Sequence, residues 1–304
     1  MGSRTAITIG NFDGVHLGHR ALIDRARERV GAGGRIVAMS FDPHPARVLK
    51  PEHAPPIIEP FEARRRRLLD AGADEVVRLE PTRELLATEP EAFIDRVMGE
   101  HDADAVVEGH DFHFGRARAG TPAFLRDMGR RRGFDVDIVP PVAVALTNQL
   151  IVTVSSSLVR GLLTRGRVRD AAWALGRAHE LAGVVTEGER LGRTIDFPTI
   201  NLATDALLPG DGVYSGHALV RGEWVPCAIN AGARPSVGGD ERRVEAHLLA
   251  PDGSPWTPPS DLPEYGWECA VRVVGWVRDQ VKFDGVDALR DQIRRDCARV
   301  LRVA

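Results

Sequence analysis

The chain has 304 residues, 43% of them apolar and 27% charged, with a net charge of −3. A length of this order suggests two domains, and the near-neutral balance argues against a generic nucleic-acid or membrane binder. Three widely spaced cysteines, Cys227, Cys269 and Cys297, make neither a C-x-x-C pair nor a disulfide framework, so reduced thiols in a cytoplasmic protein are expected.

Up to about residue 140 the sequence alternates strand-like and helix-like stretches. Residues 6–9 read as a buried strand and 19–30 as a helix ending near Gly31. A second strand is expected at 36–41, a helix at 61–71, a strand at 75–79, a helix at 91–100 and a strand at 105–107. Thr121 is placed to cap a helix that has Pro122 in its first turn and Gly133 at its end. Residues 136–139 make a further strand. Such alternation implies parallel strands joined by helices. The arginine runs 64–67 and 130–132 fall in helical stretches and read as solvated faces. The apolar segment 139–150 is too short and too polar to span a bilayer, and the opening residues lack a signal-peptide pattern.

Residues 155–176 read as two short helices between domains. From His179 the pattern changes to short strands separated by turns, the best at 213–220, 225–230, 244–249 and 269–276. That spacing suggests a small antiparallel barrel or sandwich. A last helix at 286–300 carries Leu289, Ile293, Cys297 and Val300 on one face, which is expected to pack on the barrel.

The stretch "GNFDGVHLGH" (10–19) joins the first strand to the first helix. A glycine turn lets backbone approach a ligand closely, and the free N–H groups of a helix start favour anions. His16 and His19, three apart, share one side of that start. Two imidazoles there suit a nucleotide phosphate, holding negative charge as it builds. The second half has no Walker-type G-x-x-x-x-G-K-[ST] loop. It does have "GERLGRTIDFPTINL" (188–202) and "RRVEAHLL" (242–249).

These segments resemble, in order and over nearly the whole chain, those of the bacterial bifunctional riboflavin kinase/FMN adenylyltransferases, also called FAD synthetases. The resemblance implies a Rossmann-like nucleotidyltransferase domain over 1–160, a helical linker over 161–178 and a β-barrel flavokinase domain with a C-terminal helix over 179–304. In the first, Gly10, Phe12 and Asp13 would surround the nucleotide and His16 and His19 would act in catalysis. "FDPHP" (41–45) matches a segment near the flavin, giving Pro43, His44 and Pro45 as flavin contacts. "GHDFHFG" (109–115) brings Asp111 to the nucleotide. "VSSSLVR" (154–160) brings Ser155, Ser156 and Arg160 to ATP phosphates.

In the second domain the resemblance implies that Gly192 and Arg193 close over ATP. Thr199 and Asn201 would hold Mg²⁺, a cation that prefers hard oxygen ligands. Glu245 becomes the catalytic base, and Arg278, in "VRDQVKFDG", a flavin contact. The implied ligands are ATP, Mg²⁺, riboflavin, FMN and FAD, with no nucleic-acid or membrane partner; oligomeric state is left open. Several positions depart from the family pattern and bear more on closure of the flavin loops than on the phosphate-handling residues. Asp196 stands where the motif has glycine, Ala231 and Ser236 alter the "NAGARPSVGG" element (230–239), and Gln280 replaces an acid. Two other readings stay open: one activity lost, or a non-catalytic flavin-binding regulator.

Overall fold

In the computed structural model, which describes residues 4–188, 191–233 and 242–303, the chain divides into two compact units. The first is drawn from residues up to 56, 61–145 and 151–156, and the second from 57–60, 146–150 and 157 onward.

The first unit is built on a parallel sheet of β1 (Thr5–Gly10), β2 (Arg35–Phe41), β3 (Glu75–Leu79), β4 (Ala105–Gly109) and β5 (Asp135–Val139), in the order β3-β2-β1-β4-β5. The central strands are apolar on both faces because helices cover both. One face, with Ala6, Ile36, Ala38 and Val107, packs on Leu22, Ile23 and Ala26 of α1 (Leu17–Val30) and Leu68 of α2 (Phe61–Asp70). The other face, with Ile7, Ile9, Val37 and Met39, meets α3 (Pro90–Glu100) through Phe93, Ile94 and Val97. It also meets Leu125 and Met128 of α4 (Pro122–Arg132). Each buried Val, Leu, Ile, Phe or Met side chain among these contributes about 1.5–3 kcal/mol. Thr121 caps α4 through the Phe124 N–H, and Gly133 ends it in the left-handed region, as the sequence leads one to expect. Strand order reverses between β1 and β4, and the crevice at the carboxyl ends of such strands is where open α/β sheets bind ligands. A small hairpin, β6 (Ala143–Ala145) with β7 (Ile151–Thr153), was not anticipated.

The two arginine runs behave differently. Arg130, Arg131 and Arg132 are exposed and pair with Asp127, Glu91 and Asp95. Arg64 contradicts the solvated reading, being only 3% exposed. The reason is helical phase: Phe61, Arg64 and Leu68 recur at three- and four-residue intervals and form the buried stripe of α2.

In the second unit, α5 (Ser156–Thr164), whose first residue is counted with the first unit, and α6 (Val168–Leu175) precede a closed barrel. Its strands are β8 (His179–Thr186), β9 (Ile200–Ala203), β10 (Gly212–Val220), β11 (Glu223–Ala233), β12 (Arg242–Leu248) and β13 (Glu268–Arg278). They run in the order β10-β11-β12-β9-β8-β13, and β13 pairs back onto β10. This resolves the barrel-or-sandwich alternative. The short helix α7 (Leu191–Thr194) lies between β8 and β9. The last helix, α8 (Val286–Val303), sets Ile293, Cys297 and Val300 against Leu249, Phe197, Ala228 and Val277, as its periodicity leads one to expect, whereas Leu289, expected on the same face, lines a cavity. All three cysteines are buried free thiols.

Candidate functional site

In the first unit the turn after β1 bends sharply. Phe12, Gly14 and Val15 take φ of 48°, 82° and 34°, the left-handed region that a β-branched residue rarely enters. Residues held in such conformations cost about 1–3 kcal/mol each and cluster where a site needs them. Phe12 and Asp13 are buried, the Phe12 ring meeting the His19 ring edge-on at 5.1 Å. His16 caps α1: its Nδ1 accepts the His19 N–H at 3.3 Å. A neutral His16 ring therefore carries its proton on Nε2. The two imidazoles stack with centroids 3.6 Å apart and planes 17° from parallel. Gly18 permits this, since a Cβ there would stand 3.1 Å from the His16 ring.

The loop that carries Pro43, His44 and Pro45 lies beside that turn. The His44 Nδ1 accepts the Ala46 N–H at 3.1 Å, and its Nε2 stands 3.3 Å from the Asn11 carboxamide. Pro43 is exposed and Pro45 half-buried. Ser156 opens α5 and donates through Oγ to the Asp13 carbonyl at 2.8 Å, so the "SSS" element and the glycine turn are joined directly. Asp111 is exposed, just past the end of β4. Arg160 lies one turn beyond Ser156 on α5 and is counted with the second unit. A residue the sequence reading missed is Glu108, 1% exposed, whose Oε1 accepts the Ile9 N–H at 2.6 Å. Burial pushes its pKa well above the ordinary glutamate value.

In the second unit one cavity of about 540 Å³ gathers Gly192, Thr199, Asn201, Glu245 and Arg278, a volume suited to a small-molecule ligand. The barrel register explains the grouping. Glu245 on β12 faces Asn201 of β9 on one side and Asn230 of β11 on the other. Three polar side chains thus stand in a row across neighbouring strands. Gln280 donates to the Asn230 Oδ1 at 2.8 Å. Arg278 is tied down by Asp296 of α8, with Nε 2.9 Å and Nη2 2.8 Å from the carboxylate.

The loop before β9 is shaped by backbone demands. Asp196 has φ 66°, so the position where the family motif carries glycine does require the left-handed region. The Phe197 N–H returns to the Gly192 carbonyl at 2.8 Å. A Cβ on Gly192 would sit 2.2 Å from the Phe197 oxygen, which explains the glycine there. His247, two residues beyond Glu245, contacts the Pro198 carbonyl through Nδ1 at 2.7 Å, next to Thr199. Burial lowers its pKa. Strand alternation sets His247 on the same face as Glu245, a signal available in the sequence. The side chain of Arg193, and Ser236 with most of its motif, lie outside the described residues.

Thr199 and Asn201 offer a hydroxyl and a carboxamide oxygen. No cluster of three or more His, Cys, Asp or Glu able to hold a metal occurs among the described residues. Two neutral oxygens fit a cation such as Mg²⁺, which keeps several waters and takes phosphate oxygens as its other ligands.

Residues 2–156 match the family model described as FAD synthetase, and residues 175–304 the one described as riboflavin kinase. Among curated relatives, the bifunctional riboflavin kinase/FMN adenylyltransferase of Escherichia coli K12 is 33% identical over 95% of this chain and 90% of its own length. That of Pseudomonas fluorescens is 34% identical over 96% and 90%. That of Bacillus subtilis is 28% identical over 99% and 92%. A crystal structure of a macrolide-efflux protein from Streptococcus pneumoniae superposes with a TM-score of 0.84 at 28% identity, over 99% of this chain and 95% of that one. Among the described residues no helix is long and apolar enough to cross a membrane.

Proposed function

This chain belongs to the bifunctional riboflavin kinase/FMN adenylyltransferase family, converting riboflavin to FMN and FMN to FAD, and we propose how its residues divide that work. Residues 179–304 phosphorylate riboflavin, residues 1–160 adenylylate FMN, and 161–178 connect them, in a reducing cytoplasm where the three buried thiols stay free.

In the kinase, Glu245 accepts the proton of the ribityl 5′-hydroxyl as that oxygen attacks the γ-phosphate of ATP. Asn201 and Asn230, flanking it in register, fix the carboxylate between them. Thr199 and Asn201 hold Mg²⁺, which when bound neutralises phosphate charge. Gly192 and Arg193 close over the nucleotide, and Arg278 stiffens the flavin side through its tie to Asp296.

In the adenylyltransferase the FMN phosphate attacks the α-phosphorus of ATP and pyrophosphate leaves. No covalent enzyme intermediate is needed, so the work is alignment and charge stabilisation. His16 and His19 donate to phosphate oxygens. Gly10, Phe12 and Asp13 serve through backbone, since the last two side chains are buried. Ser155, Ser156 and Arg160 hold the outer phosphates, Asp111 the nucleoside, and Pro43, His44 and Pro45 the flavin.

The observation that carries this reading is the row Asn201–Glu245–Asn230 inside the cavity that also holds Thr199. Purified protein given riboflavin, ATP and Mg²⁺ should yield FMN and then FAD on chromatography. FMN without FAD would leave the kinase alone, turnover of added FMN without riboflavin conversion would leave the adenylyltransferase alone, and flavin binding without ATP consumption would leave neither.

A further inference from the structure

The arginine run at 64–67 has one member that does not face water. The Arg64 guanidinium, under α2, donates through Nη1 to the Asn11 carbonyl and, at 3.1 Å, to the Phe41 carbonyl. Its Nη2 reaches the Asp42 carboxylate at 2.9 Å. Asn11 belongs to the histidine-bearing turn, while Phe41 and Asp42 open the proline-rich loop on the flavin side. A single buried cation therefore grips both loops. Two lesser links run alongside: the Ser40 Oγ donates to the same Asn11 carbonyl at 3.3 Å, and the Asn11 carboxamide meets His44. The Phe61 ring, 5.3 Å from the guanidinium carbon, lies beside the group.

A buried charge is costly unless it is paired and hydrogen-bonded. Arg64 offsets that cost with acceptors drawn from the two loops, so the loops and the cation hold one another in place. A planar fork presents its donors in one fixed arrangement, whereas a lysine is a point charge on a flexible stem.

We propose that Arg64 is a positioning residue for adenylyl transfer: its guanidinium sets the spacing between the histidine turn that holds ATP and the loop that holds FMN. The inference rests on the reading that these two loops carry the two substrates. In-line attack depends on that spacing, and a misplacement near 1 Å can cost about a hundredfold in rate.

The test uses the full chain with Arg64→Ala, Arg64→Lys and, as a control, Arg65→Ala, whose side chain is exposed. FAD formation from added FMN and FMN formation from riboflavin are measured separately, with kcat and KM resolved. Arg64→Ala should lose about a hundredfold in kcat for FAD formation. Millimolar guanidinium should restore part of that loss. Arg64→Lys should stay depressed and be insensitive to guanidinium. FMN formation in both, and both activities of Arg65→Ala, should match the unaltered chain. If Arg64→Ala does not fold, Arg64→Lys with the kinase as internal standard decides the question. Normal FAD formation in Arg64→Lys, or a parallel fall in both activities, overturns the proposal. A His19→Ala chain with intact FAD formation would overturn the underlying reading of the turn instead, and would do so whatever the Arg64 variants show.

Discussion

His16 and His19 stack ring on ring, 3.6 Å between centroids, and the His16 Nδ1 is occupied by the His19 backbone N–H. The cap thus occupies the His16 Nδ1, and the stack fixes the orientation of the second ring relative to the first.

Replacing His19 by Ala should lower FAD formation by about a hundredfold or more, the usual cost of losing one donor to developing charge. FMN formation, which belongs to the barrel, should be unchanged. Parallel chromatographic assays of the two steps check this, and loss of both activities in folded protein would refute the division of labour.

Glu245→Gln keeps the side-chain shape at that position of β12 but removes the proposed proton acceptor. FMN formation should fall by about a hundredfold or more, while FAD formation from supplied FMN persists. The same two assays read the outcome; an unimpaired kinase would mean the base lies elsewhere.

Asp196 occupies the left-handed region at φ 66°. A β-branched side chain is poorly suited there, so Asp196→Val should destabilise the barrel by about 1–2 kcal/mol. Asp196→Gly should be neutral or mildly stabilising. Denaturant unfolding of the two variants beside the parent would separate these expectations from equal stabilities.

Tyr214 is buried, donates to the Gly210 carbonyl at 2.6 Å, and has its pKa pushed up to about 12, chiefly by burial. An unfolded tyrosine ionises near 10. The folded state therefore holds the phenolic proton longer than the unfolded chain does. Its stabilising contribution is complete below about pH 10 and is lost as the pH rises through 12. Alkaline titration of tyrosine absorbance should show a late step from Tyr214, and replacing Tyr214 by Phe should remove it.

Much of this architecture was legible in the sequence. The alternation of apolar runs gave the parallel sheet, and the three- and four-residue spacing of Ile293, Cys297 and Val300 gave the buried face of α8. The expected glycine position in the kinase loop proved to need positive φ, although Asp196 fills it. Other features depended on partners distant in sequence. Whether strands form a barrel or a sandwich is decided by the pairing of β13 with β10, which no local pattern encodes. Asn230 was overlooked because only strand register puts it beside Glu245. Arg64 was misread because charge outweighed phase: Phe61 and Leu68 already marked its face of the helix as internal. Short strands such as β6 and β7, three residues each, carry too little periodicity to stand out.

The barrel's closure has one more outcome. Among the described residues every barrel strand has a hydrogen-bonded neighbour on each side, so the wall offers no whole unpaired strand for a neighbouring chain to zip onto. Templated fibril growth would find no full edge strand to start from there.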